Sequence, residues 1–188
     1  LGYLPLRRSE RVREVSMGDE KPSSKNDEGV FEPFEIAAVP WDGYDHGERF
    51  GVRFQELGAF GGGTHVGVCL EELAPGKRTY PLHYHMLEEE HVYVLEGRMT
   101  LRLGGRRFEL RPGMYVCFPA GQKVGHSLDN HTDAPCRYLI IGERNPAEVV
   151  VYPDSGRVGV RLLGEGYRGS ATMGYWEDEP EDDAPGSD

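Results

Sequence analysis

Between Thr64 and Gly142 the chain is a succession of short apolar runs, each cut off by Gly, Pro, Asn or Asp. THVGVCLEEL, HVYVLEG, MTLRLGG, RRFEL, MYVCFP and RYLIIG read as strands rich in Val, Tyr and Phe, and EGRM, LGGRR and RPGM supply the turns between them. No long stretch carries a 3.6-residue apolar period; Pro146–Val149 is the best helical candidate. Many short strands at regular spacing predict an all-β sandwich or barrel, and the lack of an internal repeat predicts one barrel rather than two. A length of 188 residues suits one such domain.

The flanks differ in character. Residues 1–29 are charged and rich in Ser, Lys and Asp, and read as a flexible N-terminal segment. The β domain is placed at 30–165, followed by a flexible polar tail at 166–188. After Trp176 the tail carries seven acids and no base, so most of the net charge of −11 sits there. No basic face stands out, which argues against a nucleic-acid partner. No apolar run has the length of a membrane span, and residues 1–16 lack the apolar core of a signal peptide. A cytoplasmic protein is expected. Cys69, Cys117 and Cys136 are odd in number, widely spaced and set among apolar neighbours, and read as free thiols.

The stretch PLHYHMLEEEH, residues 81–91, concentrates three His and three Glu. On a helix His83 and His85 would diverge by about 200°. On a strand, residues two apart share a face, and Pro81 before them with the Val-rich run after them favours strand. Two imidazoles on one face can share an ion. Glu90 opens the next strand on the face of Val92 and Val94, which is read as inward; His91 and Tyr93 then point outward. Glu88 and Glu89 read as solvated turn residues. The next His-bearing stretch, GMYVCFPAGQKVGHSLDN, offers His126. Three imidazoles and one carboxylate suit one divalent transition metal: Mn, Fe, Ni, Co or Zn. The expected metal set is His83, His85, Glu90 and His126, with Glu89 the carboxylate instead of Glu90 if the register slips by one; the spacing of His126 to Asn130 carries its place through the resemblance that follows.

Gly76, His83, His85, Glu90 and Gly97 resemble the first motif of the cupin superfamily, and Gly113, Pro119, Gly121, His126 and Asn130 resemble the second. Gly76 stands one residue further from the first His than in the usual form, and the gap from Gly121 to His126 is two residues longer. The wider pattern is similar to a group of small single-domain bacterial cupins, often labelled only as cupins or as sugar-phosphate isomerases. The resemblance implies a double-stranded β-helix, or jelly-roll barrel, with a metal in its mouth.

Around that core, Asn130 reads equally as a partner of bound water or as a turn cap. One of Arg137 and Tyr138 should face the cavity. Met99, Leu101 and Leu103 form an apolar face read as core, while Tyr84 and His131 point away from the site. Tyr138 and His65 are the candidates for an acid or base beyond the ligands. Arg102, Lys123 and Arg137 are the candidates for a substrate phosphate. The expected function is a metal-dependent enzyme on a small oxygenated, sugar-like hydroxy or keto metabolite, with isomerase chemistry favoured. A non-catalytic metal- or ligand-binding module and an Fe(II) dioxygenase are the alternatives. A homodimer is expected, with the apolar VFEPFEIAAVPW segment adding a strand to a partner's edge.

Overall fold

Thirteen short strands dominate the computed structural model, which describes residues 22–170, 172–174 and 177. They are β1 (Asp42–His46), β2 (Phe50–Gln55), β3 (Val66–Leu73), β4 (Tyr84–His85), β5 (Glu90–Glu96), β6 (Met99–Leu103) and β7 (Arg106–Leu110). They continue with β8 (Tyr115–Phe118), β9 (His126–Asp129), β10 (Cys136–Glu143), β11 (Val149–Tyr152), β12 (Arg157–Val160) and β13 (Glu165–Arg168). Among the described residues, helix is confined to one turn, α1 (Leu57–Phe60), and two 3-10 turns at Ile36–Ala38 and Arg161–Leu163. Pro146–Val149 is not helical: a turn there feeds directly into β11, since Pro146 and the extended Val run leave no room to propagate a helix.

One sheet has the order β1-β2-β3-β10-β5-β8; the others are β13-β12-β11-β4 and β7-β6-β9. A reciprocal backbone pair joins the two smaller sheets: His83 N–H donates to the His126 carbonyl (3.1 Å) and His126 N–H to the His83 carbonyl (2.7 Å). The smaller sheets thus face the larger one as an open jelly-roll. The period-2 alternation fixes what lies between: Val92 and Val94 are fully buried while Tyr93 and Leu95 are exposed. Leu73, Met99, Leu101, Leu110, Leu128 and Cys136 complete one apolar core. The cysteines are unpaired, and burial pushes the Cys136 thiol up to about 11.

Backbone hydrogen bonds also occur outside residues 30–165. β13 pairs with β12 through Arg168, beyond residue 165. Before residue 30, Ser24 N–H donates to the Phe60 carbonyl and Lys25 bridges Phe31. The following segment folds onto its own chain: Phe34 packs on Phe60, and the buried Gln55 amide donates to the carbonyls of Ile36 and Val39. The acidic stretch after Trp176 lies outside the described residues except for Glu177.

Gly97 ends β5 at φ +74°, where a Cβ would stand 2.5 Å from the Pro135 carbonyl oxygen and 2.9 Å from the Cys136 Cα. Both contacts are backbone and cannot swing aside. Gly97→Ala should therefore cost roughly 3 kcal/mol, read as a lower urea midpoint at unchanged slope.

Candidate metal centre

Three chain segments converge on one cluster: His83–His85, the start of β5 and the start of β9. The bridge between His83 and His126 sets those two backbones directly opposite each other, and β4 carries His85 one pleat further along. Glu90 enters from the larger sheet, opposite Gly142 of β10. One donor atom from each of His83, His85, Glu90 and His126 lies within 4.8 Å of every other, and all four residues are buried. The structure thus brings together the four residues named from the sequence.

The surroundings orient each ring. His83 Nδ1 sits 2.8 Å from the Pro81 carbonyl, so it carries the proton and leaves Nε2 with a lone pair. The Phe118 ring stacks on His126 at 3.7 Å and 6°, while His126 Nε2 lies 3.0 Å from Glu90 Oε1. Tyr152 and Tyr80 flank His83 at 5.9 and 6.1 Å between ring centroids. Burial and the neighbouring His126 hold His83 well below the ordinary imidazole range. Burial also opposes charge on His85, but Glu148 and Glu90 outweigh it and lift that imidazole to about 9. For Glu90 burial works upward, yet His126 and His85 hold the carboxyl well below its usual range.

These residues fit a divalent transition metal. His85 Nε2 is buried without a hydrogen-bond partner, 3.6 Å from Glu90 Oε2, a costly arrangement that a cation between them would relieve. Three nitrogens and one carboxylate form a borderline donor set. Metal–ligand bonds of about 2.1 Å place ligand atoms about 3 to 4 Å apart, so the cluster needs little contraction.

Other expectations resolve differently. Glu88 is not a solvated turn residue: it is 1% exposed, and Arg161 pairs with both its oxygens while the Asn145 N–H donates to Oε1. Arg161 lies 73 residues further along, so no local pattern around Glu88 announced it. Glu89 is exposed, as expected. His65 is exposed beside β3 and lies outside the cluster, because the strand that would have carried it inward starts only at Val66. His91 points outward and its Nδ1 meets the Tyr115 hydroxyl at 2.6 Å. Asn130 is a turn cap: its amide donates to the Leu73 and Ala134 carbonyls, and its oxygen accepts from Thr132. Arg137 faces out and pairs with Glu72, and Arg102 is held by both oxygens of Asp154. Lys123 is exposed in the loop before His126.

Tyr138 is the inward member of its pair, fully buried, and its hydroxyl donates to Glu71 Oε2 at 2.5 Å. Glu71 is a further buried acid, which no motif marks. It is 1% exposed, lies opposite Tyr138 in the β3–β10 register, and has the Tyr80 hydroxyl 3.5 Å from Oε1. Burial pushes its carboxyl up to about 7, and the Glu90 charge adds to the rise, while the Tyr138 hydrogen bond works against it. The Tyr80 ring in turn meets His83, so this acid stands one side chain from the cluster.

Comparison with known proteins agrees with this architecture. The Cupin domain family matches residues 69–142. A sugar phosphate isomerase from the cupin superfamily of Silicibacter pomeroyi is 32% identical in a match covering 68% of this chain and 85% of that one, with a TM-score of 0.63. A protein from Acidithiobacillus ferrooxidans, provisionally called a sugar phosphate isomerase, is also 32% identical, covering 65% and 80% at TM-score 0.63. Quercetin 2,3-dioxygenase of Bacillus subtilis is 31% identical over 99 residues, 51% of this chain but 29% of that enzyme. The chain spans between 29% and 54% of the length of the curated relatives it matches. The chain belongs to the cupin superfamily. No helix among the described residues is long and apolar enough to cross a membrane.

Proposed function

We propose that this chain is a metal-dependent enzyme acting on a small, oxygen-rich metabolite with adjacent hydroxyl and carbonyl groups, and that its chemistry is of the aldose–ketose isomerase type. His83, His85, Glu90 and His126 would hold the ion, which when bound polarises a carbonyl or steadies an enediolate. The observation that carries the reading is the second element beside them: a buried carboxyl, Glu71, hydrogen-bonded by Tyr138 and adjoining Tyr80. Isomerisation needs one group that removes a proton from the carbon beside the carbonyl and returns it to the neighbouring carbon. A carboxyl that titrates near neutrality suits both halves of that exchange. Tyr138 fixes one Glu71 oxygen, and Tyr80, whose hydroxyl lies 3.5 Å from the other, sets its ring against that of His83. The two relatives described as sugar phosphate isomerases support the same class.

The Bacillus subtilis relative favours a second reading, oxygen insertion with Fe(II). The test reconstitutes the chelator-stripped chain with Mn(II) or, anaerobically, with Fe(II), then measures aldose–ketose exchange and oxygen uptake with diketone, thiol and catechol substrates. Exchange with Mn(II) and no oxygen uptake with Fe(II) is the expected result. Oxygen uptake without exchange would replace the isomerase reading with the dioxygenase one, and metal binding with neither activity would leave a binding module. Glu71→Gln should slow exchange by roughly 10²- to 10⁴-fold at unchanged metal content.

A further inference from the structure

His85 differs from the other candidate ligands in having carboxylates on both sides. Its Nε2 lies 3.6 Å from Glu90 Oε2, toward the cluster. Its Nδ1 lies 3.5 Å from Glu148 Oε1 and 3.8 Å from Glu88 Oε2, and the side chains of all three residues are almost wholly buried. His85, Glu88 and Glu148 therefore form a second group compact enough to hold a cation. Their other partners argue against that use. Glu148 accepts the N–H groups of Met86 (2.8 Å) and Leu87 (3.1 Å), the two residues that follow His85. Glu88 already has its positive charge in Arg161, whose guanidinium reaches both its oxygens.

We propose that Glu148 is a positioning residue: it accepts the Nδ1 proton of His85, fixes that tautomer, and so aims the Nε2 lone pair at an ion shared with His83, Glu90 and His126. The Glu88–Arg161 pair closes the space behind Nδ1 and keeps a second ion out. The residues that set the ring thus come from just before β11 and just after β12, where Arg161 N–H donates to the Glu148 carbonyl. A buried imidazole between a cation and a carboxylate gains basicity toward the cation as well as orientation, and loss of such a carboxylate weakens metal binding by about 10- to 100-fold. In Glu148→Gln the amide keeps one acceptor for three N–H groups and turns a donor toward Nδ1 or toward a backbone N–H.

The inference rests on the proposed metal centre, and two measurements separate the two claims. In the wild-type chain loaded with Zn(II), long-range ¹H–¹⁵N spectra of the histidine rings should show His85 protonated at Nδ1 and bound through Nε2. Binding through Nδ1 would overturn the inference, and this test needs no variant to fold. Titration of the chelator-stripped chain with Co(II), followed by its visible absorption, should give one ion per chain. Glu148→Gln, with an unchanged near-ultraviolet circular dichroism spectrum, should bind Co(II) about 10- to 100-fold more weakly. Equal affinity in the variant, or two ions per wild-type chain, would overturn the role assigned to Glu148 while leaving the metal centre standing. No Co(II) or Zn(II) binding by the wild type would remove both.

Discussion

Co(II) or Mn(II), added to the chelator-stripped chain at a hundredfold excess over its dissociation constant, should raise the unfolding free energy by about 2.7 kcal/mol. The thermal midpoint should rise by roughly 5 to 10 °C for a domain of this size. The reason is topological. The four candidate ligands sit on segments spread from residue 83 to residue 126 and meet only when the His83–His126 bridge and the larger sheet are both formed. The ion therefore binds the folded chain and hardly the unfolded one. In His126→Ala a binding constant weakened by about a hundredfold would leave about 0.4 kcal/mol at the same ion concentration. Differential scanning calorimetry with and without metal reads both values. An equal shift in wild type and variant would mean that the ion binds elsewhere.

Glu71→Gln should change stability in a direction that depends on pH. The ordinary carboxyl value is 4.5, and burial raises Glu71 to about 7 in the fold. Below about pH 4.5 both folded and unfolded chains hold the proton, and the residue contributes nothing to the pH dependence. Between 4.5 and 7 the unfolded chain releases its proton first, so stability falls as pH rises. Above 7 the full penalty applies, on the order of 3 kcal/mol. Gln cannot ionise and can still accept the Tyr138 hydrogen bond. The variant should match the wild type near pH 4 and exceed it by up to about 3 kcal/mol at pH 8, measured by urea unfolding at both pH values. A difference that does not change with pH would show that Glu71 is not the titrating group. The stability cost at neutral pH is also a physical reason for assigning this carboxyl to chemistry.

The fold was legible because its signal is local. Alternation in HVYVLEG places Val92 and Val94 inward with Glu90, and the turns at Gly97 and Gly113 carry the positive φ that favours glycine. The His83–His85 pair was legible for the same reason, since period 2 puts both on one face. What the sequence hid depends on partners far along the chain. Glu88 and Glu89 look alike in MLEEE, yet only Glu88 turns inward to Arg161. Glu148 lies in a turn whose proline resembled a helix start, and its partners are 61 and 62 residues away. Glu71 left a usable trace: it shares a face with Cys69 and Leu73, both buried, whereas Glu72 alternates outward to meet Arg53 and Arg137. An acid on the apolar face of a strand was the mark of a buried group. The side taken by His65 was not legible, because the three glycines of the preceding GGGT stretch give no register for where the strand begins.

In the proposed metal centre, three imidazoles and one carboxylate, drawn from distant segments, would hold one cation inside the sandwich. Elemental analysis of the protein purified without a metal-affinity column, run beside His83→Ala prepared identically, tests it most directly. About one equivalent of a single divalent transition metal in the wild type, and a small fraction of that in the variant, is the result expected. A wild type free of transition metal that also takes none up on reconstitution, or a variant that retains the full equivalent, would contradict it.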